Sequence, residues 1–518
     1  MNPLKFTSLI ILALLSNTLV AQEGELDISF SGDGILAINS FFGYSATEAR
    51  SSVGTPDHKI YIAGQGHNGA TNNDLILLRV LDDGTPDTTF NETGYTTYNY
   101  GGYAYEEVTS VCLQDDGKII VAGSTYYEDS ELDEILFVRF NPDGTIDESF
   151  GDAGVVIMDL SSENDIIADM LIDETGRIIA IASIGPNSNS YAAIMRLLDD
   201  GSFDDTFGTD GITITEIGTE YTFPLSLVVQ PDGKYVVGGN ENNGDENDVL
   251  VMRYLNNGTL DDSFGIDGVA TNEISGSQTI RSIALQSDGK IVGAYIANNY
   301  SISAIRFDTD GNLDATFGDA GAIVVDYSGL GNVFGPDLIV QPDDKIVICS
   351  ALSDFLNVSR LLPDGDFDTD FAFGGTYLDN LMLSLPYPTD IILQPDGKIL
   401  VTGDFAYIGS GSDFMVLRFI SGLDITSTDL QSNDESLLIY PNPVGESAII
   451  NFQLIEDEQL HIILKDINGN QIQDFGYCNF SKGETEKLLN FNTSIAAGIY
   501  FLSFENVISS VNVKIVKL

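Results

Sequence analysis

A hairpin turn of the form Asp-Gly-Lys recurs seven times along this 518-residue chain, each copy 53 to 59 residues after the last. The copies are Asp57-His58-Lys59, Gly117-Lys118, Gly176-Arg177, Gly233-Lys234, Gly289-Lys290, Asp344-Lys345 and Gly397-Lys398. Such a period constrains the fold strongly, because each unit is one supersecondary element that buries its apolar face only against its neighbours.

Residues 227–265 show the unit clearly: a second strand over 227–230, the turn Pro231-Asp232-Gly233, a third strand over 234–239, a polar loop, and a fourth strand, which carries the recurring Arg, over 249–255. The step Asn257-Gly258-Thr259-Leu260-Asp261-Asp262-Ser263-Phe264-Gly265 closes it, and the short apolar strand after that Gly reads as the first strand of the next unit. Short strands bounded by Asp-Gly and Pro-Asp-Gly are strong hairpin signals, because Gly takes positive φ without steric cost. Four antiparallel strands per unit and no helical periodicity predict an all-β, seven-bladed β-propeller of four-stranded repeats, which manages its sheet edges by radial repetition. Seven periods separate Leu26-Asp27 from Leu423-Asp424, as ring closure requires. An open β-solenoid or a split pair of sandwiches is the alternative.

Seven of the ten arginines (Arg79, Arg139, Arg196, Arg253, Arg306, Arg360, Arg418) hold one place in the repeat, flanked by apolar residues. Asp27, Asp87, Asp147, Asp204, Asp261, Asp314 and Asp368 recur with them. A guanidinium among apolar neighbours needs a carboxylate, so each blade is expected to carry a structural Arg–Asp clamp, paired as a bidentate fork. Phe30, Phe90, Phe150, Phe207, Phe264, Phe317 and Phe371 recur as core plugs.

The Leu-Asp-x-Ser-Phe-Gly and Gln-Pro-Asp-Gly-Lys steps resemble the delta-60 repeat of bacterial exported proteins over residues 26 to about 424. The resemblance implies a propeller-like fold and no general chemistry. Three copies drift: His58 and Asp344 stand where the turn has Gly, and Ala372 follows Phe371 where other copies have Gly, which puts local turn geometry in question.

At the N-terminus, Lys5, the apolar run 9–15 and Ala21 read as a secretory signal peptide over residues 1–21. The propeller is expected over 22–424, a polar linker over 425–436, and a smaller β-sandwich of about seven strands over 437–518. The last segment carries Tyr440-Pro441-Asn442-Pro443, Asp466-Ile467-Asn468-Gly469, Gly498-Ile499-Tyr500 and a basic final strand with Lys514 and Lys517. It resembles the type A C-terminal sorting domain read by the type IX secretion system. That resemblance implies the secretion machinery as a partner, export across the outer membrane, removal of the domain, and a secreted or cell-surface location.

A net charge of −56 argues against nucleic acid and anionic membranes, both of which demand Lys/Arg stripes. No stretch after the signal is long and apolar enough for a membrane helix. Three cysteines, Cys112, Cys349 and Cys478, make no disulfide or zinc pattern, and Cys112 and Cys349, at repeat positions that other copies fill with apolar residues, read as buried, inert thiols. The three histidines, His58, His67 and His461, fall where no two share a site, which removes triad catalysis and most zinc chemistry. No cofactor, metal or catalytic constellation is expected. The segment from Asp308 to Asp314 begins like a calcium loop but lacks the distal Glu of that motif.

Strand parity locates the remaining candidates. Both Asp-Gly motifs share one face of the ring, so the two variable loops of each blade share the other. Those loops carry Tyr103, Tyr105, Tyr126, Tyr127, Tyr221, Asn242, Tyr300 and Tyr407. Tyr stacks on apolar faces and Asn bonds hydroxyls, which suits binding or adhesion to a glycan or a surface protein. A carboxylate-based polysaccharide hydrolase and a surface-layer scaffold without ligand are the alternatives.

Overall fold

The computed structural model describes residues 23–423 and 438–517, apart from 39–43, 45, 69–71, 102–103, 128–131, 187–188, 218–220, 243, 245, 273–275, 299–300, 326–332, 353, 382–384, 408–409, 441–446, 455–457, 466–470, 481–482, 493–494, 496–497 and 506–509. The chain forms two compact units, divided after Gly422. The first holds seven four-stranded antiparallel sheets. Blade 1 runs outward through Ala46–Gly54, Ile60–Asn68, Asn72–Val80 and Tyr95–Tyr98, so the short strand after Phe-Gly is the outermost of its own blade rather than the first of the next unit, and the strand bearing the clamp Arg is third rather than fourth. Blades 2 to 6 repeat this over 104–158, 165–215, 221–272, 278–324 and 333–379. The innermost strands touch in an unbroken circle, from blade 1 round to blade 7 and back, so the array is a closed propeller.

Closure is made by the N-terminus. Blade 7 has Leu385–Leu393, Ile399–Tyr407 and Ser410–Phe419 from the end of the array, and its outer strand is Ile35–Ile38, with Ile35 opposite Leu417. That strand covers an edge that would otherwise present unpaired backbone groups.

Burial follows from each strand's place in its blade. The second strand of blade 3, Ile178–Ile184, is buried throughout, because neighbouring blades cover both of its faces. The first strands alternate, as Ala104–Leu113 does, since one side turns toward the central channel. Each apolar core lies between successive blades: Tyr61, Leu75 and Phe90 of blade 1 pack with Val108, Ile119 and Leu136 of blade 2. All seven recurring Phe are 0% exposed, each worth about 2–3 kcal/mol of burial.

All seven inner strands break register at one equivalent place. Six have one extra residue there (Arg50, Thr109, Ala168, Leu225, Arg281 and Thr389), and in blade 6 Gly335 and Pro336 stand opposite the single residue Ser350. A bulge bends and re-aims its strand. It also explains the Ala-Gly step of the second strand: a Cβ on Gly123 would lie 2.0 Å from the Glu107 carbonyl oxygen of the facing bulge.

The three drifted copies keep the turn geometry. His58 and Asp344 adopt φ of 63° and 64°, and Ala372 takes 46° where Gly265 has 55°.

The second unit has seven strands in two sheets, the first being Leu438–Tyr440, Ser447–Leu454 and Gly483–Asn490. The other orders Gln471–Phe480, Glu458–Lys465, Gly498–Glu505 and Ser510–Lys517, and Ile450, Ile462, Leu464, Leu502 and Phe504 fill the core. Gly498 pairs with Lys517 and Phe501 with Lys514 in its edge ladder. Pro441, Asn442, Pro443, the expected linker and the expected signal peptide lie outside the described residues.

Candidate functional site: the channel wall and its braces

The recurring charged residues form one assembly per blade. Each clamp arginine sets Nε 2.7–3.0 Å from an Asp Oδ2, or in Arg360 sets Nη2 and Nε on Asp368. It lies 4.5–4.8 Å over the centroid of the recurring Phe. The second carboxylate oxygen is already occupied: Asp261 Oδ1 accepts from the Ser263 amide and hydroxyl. The expected bidentate fork is therefore not what forms. The freed Nη1 reaches into the next blade, where Arg253 donates to the Thr309 carbonyl at 2.6 Å, Arg196 to Asn256 at 2.7 Å and Arg79 to Pro142 at 2.8 Å. The turn lysine of the same blade completes the cluster, with Lys234 3.2 Å from Asp261. Hydrogen bonds and cations hold these aspartates below the usual carboxylate range against the opposing cost of burial, with Asp147 and Asp314 at about 2.

Arg418 shows how the seam is joined. Its aspartate is Asp27, 391 positions earlier in the chain, at 2.8 Å. It also donates to the Asp82 carbonyl of blade 1 at 2.6 Å.

A second ring of braces lines the channel immediately after the bulges. Ser51, Ser110, Asp169, Ser226, Ser282, Asp337 and Asp390 occupy equivalent positions, four residues before the Gln, Thr or Asp that opens each turn. Each bonds across to the next blade. Ser51 Oγ accepts from Val111 N (3.3 Å), and Ser110 Oγ donates to Asp169 Oδ1 (3.3 Å). Asp169 accepts from Leu227 N (2.9 Å), Ser226 from Ile283 N (3.1 Å) and Ser282 from Leu338 N (3.3 Å). Asp337 accepts from Ile391 N (2.9 Å), and Asp390 accepts from the Ser52 hydroxyl of blade 1 (2.8 Å), closing the circle. The expected candidate residues did not include this ring, although the spacing of Ser or Asp before the turn was a readable signal.

The channel encloses 480 Å³ and draws its walls from the inner strands of all seven blades. Two of the three arginines outside the clamps stand in it, both at bulge positions: Arg50 in blade 1 and Arg281 in blade 5. Arg50 is paired with Glu48. Arg281 has no ion-pair or hydrogen-bond partner among the described residues, and crowding by protein lowers its pKa. Asp169, Asp337, Asp390 and Glu107 also line the cavity. Burial pushes Asp169 up to about 6, and burial reinforced by Asp337 pushes Asp390 up to about 8. Burial raises Asp337 as well. Asp337 and Asp390 interact as a pair, the arrangement in which two carboxyls hold a proton between them.

The expected loop residues fall into separate groups. Tyr105 and Tyr126 are cross-strand partners in blade 2, with rings stacked at 4.8 Å and 5°. Two blades on, Tyr221 donates to Asn247 Oδ1 at 2.7 Å, and Asn242 Nδ2 bonds both Tyr221 Oη (3.1 Å) and Asn247 Oδ1 (2.7 Å). These polar groups are engaged with one another. Tyr127 and Tyr407 end second strands, and the described structure stops short of their side chains; Tyr103 and Tyr300 lie outside the described residues. The turn at Asp308 uses its carboxylate internally, on the amides of Asp310 and Asn312. Cys349 is fully buried, Cys112 donates to the Met170 carbonyl, and burial raises the pKa of both thiols.

Comparison with known proteins matches the repeat and the C-terminus separately. Residues 55–90, 114–150, 230–264, 286–317, 341–371 and 394–420 match a β-propeller domain of unknown function, DUF5122. Residues 438–518 match the secretion system C-terminal sorting domain. The turn and clamp of blade 3 lie outside the matched segments, yet that blade has the same sheet and clamp. No curated protein matches the chain. Among solved structures it is similar to the polysaccharide lyase Uly1 (10% identity, TM-score 0.42, 72% of this chain and 90% of that one). It is also similar to Drosophila Semaphorin 2a (6%, 0.40, 93% and 97%) and to the intramolecular trans-sialidase of Ruminococcus gnavus (9%, 0.34, 73% and 95%). None of these structural likenesses carries a functional inference.

Proposed function

We propose that this DUF5122-repeat propeller, whose type IX sorting domain implies export to the cell surface or the medium, is a binding protein for acidic glycan, held in and around the central channel. Arg281 carries the reading. In a chain of 22 basic against 78 acidic residues, an exposed guanidinium on the channel wall with no partner among the described residues offers a fork for a ligand carboxylate. The 480 Å³ of the channel suits a small saccharide better than a folded partner. The stacked Tyr105–Tyr126 pair offers an apolar platform for a sugar face on blade 2.

Catalysis is the weaker reading. The carboxylates a hydrolase would need are committed to bracing: Asp337 accepts from two amides, and Asp390 from the amide and hydroxyl of Ser52. Titration of the full chain with uronate-containing and neutral oligosaccharides tests the proposal. Selective binding of the acidic series, weakened at least about tenfold by Arg281→Met, is expected. Equal binding by that variant, or preference for neutral sugars, refutes it. Turnover of the bound glycan would replace binding with hydrolysis as the function.

A further inference from the structure

The seam between blades 7 and 1 gathers three side chains that no other interface combines. A donor nitrogen of His58 and carboxylate oxygens of Asp82 and Asp396 lie within 4.8 Å of one another. His58 comes from the first turn of blade 1, Asp82 from the connection to its outer strand, and Asp396 from the first turn of blade 7. The repeat supplies its own controls. The positions equivalent to His58, Asp82 and Asp396 are Gly117, Pro142 and Asp57 at the next interface, then Gly176, Asp199 and Asp116. Further round they are Gly233, Asn256 and Thr175; Gly289, Thr309 and Asp232; Asp344, Pro363 and Asp288; and Gly397, Ser421 and Asp343. Only the seam has three metal-ligating types, and only there is one of them an imidazole.

His58 is also the member whose chemistry is otherwise unused. Its Nδ1 is out of contact with solvent and has no hydrogen-bond partner among the described residues. The two carboxylates hold one cation each and keep ligand capacity. Asp82 Oδ1 accepts from Arg418 at 2.6 Å, which leaves Oδ2. Asp396 pairs with Lys398 at 3.1 Å, but that lysine is also 3.3 Å from Asp27, which can take it over.

We propose that His58, Asp82 and Asp396 form a binding site for a divalent transition metal of the zinc class, which staples the closing blade to the first. One imidazole and two carboxylates with room for water match the donor preferences of such ions rather than those of calcium or magnesium. Tetrahedral ligands at about 2.1 Å from zinc stand about 3.4 Å apart, so small side-chain rotations draw the three donors onto one ion. The site joins segments 338 positions apart in sequence, His58 to Asp396, so a bound ion resists opening of the ring.

The test uses the full chain without a histidine tag, stripped with EDTA and titrated calorimetrically with zinc chloride. One equivalent is expected, with a rise in the thermal midpoint that EDTA reverses. His58→Gly restores the residue of five other copies and suits the positive φ, so it preserves the fold; it is expected to abolish the thermal response and weaken binding at least about tenfold. Asp82→Asn is expected to weaken binding while the zinc-free midpoint shifts little. Absence of binding by the wild-type chain overturns the proposal. So does a stoichiometry and affinity unchanged in His58→Gly, which would place the ion elsewhere, for instance at His461 and Asp474, 2.8 Å apart in the C-terminal unit.

Discussion

Replacing Arg253 with Met tests whether the clamp holds blades to one another. Methionine keeps much of the aliphatic volume and removes three interactions besides a 3.3 Å bond to Ser263 Oγ. These are the ion pair to Asp261 at 2.8 Å, the bond to the Thr309 carbonyl of blade 5 at 2.6 Å, and the guanidinium 4.5 Å over Phe264. The pair is 6% and 8% exposed, so solvent does little to compensate the carboxylate left behind. Breaking such a buried pair costs about 3–5 kcal/mol. Lys234 at 3.2 Å and the two bonds from Ser263 soften the loss by holding the charge of Asp261, which places the expectation near 4 kcal/mol in that range. For a ring of about 400 residues melting as one unit, the entropy of unfolding is about 0.84 kcal/mol per degree, so the midpoint falls by about 5 °C. Lys234→Met is the comparison: its side chain is 28% exposed, and such a pair contributes about 0.2–1 kcal/mol. Urea melts of both variants, read by circular dichroism, give the two values. A loss below about 1 kcal/mol for Arg253→Met, or equal losses for the two variants, would refute the inter-blade role.

Two sets of carboxylates give the protein a pH optimum. The clamp aspartates sit below their unfolded values, so their stabilisation is present above about pH 4 and lost as pH falls through about 2. The channel acids Asp169 and Asp390 sit above theirs, so their favourable protonation is lost as pH rises through about 6 and 8. Stability is expected to peak near pH 4, where the clamp aspartates are ionised and the channel acids are still protonated, and to fall from there toward pH 8; a monotonic rise from pH 3 to 8 in thermal melts contradicts this. Asp390→Asn, neutral at every pH and still able to accept from Ser52, is expected to flatten the decline between pH 4 and 8; a steeper decline counts against it. Deleting residues 23–38 removes the outer strand of blade 7 and exposes the edge of Ser410–Phe419. Light scattering should then show aggregation, and a monodisperse monomer contradicts the closing role. Deleting residues 438–518 is expected to retain the propeller in the periplasm by cell fractionation, and undiminished surface display rejects the sorting role.

The sequence by itself determined the blade. Turn glycines report a local φ requirement, alternation reports which side of a strand is covered, and Arg, Asp and Phe recur because every blade repeats the same burial problem. These are demands within one period, so seven copies repeat them. Residue types did not reveal where the clamp's Nη1 goes, because its target is a backbone carbonyl that Pro142, Asn256 and Thr309 supply equally well. Nor did residue types show that Tyr221 bonds Asn242 and Asn247, a contact that tertiary structure decides. The cross-blade bonds of the Ser and Asp braces, the place of Arg281 in the channel wall and the seam triad were decided only by the tertiary structure. Closure brings Asp27 to Arg418 and His58 to Asp396. A contact made once, between residues more than 300 positions apart, leaves no period for a sequence to display.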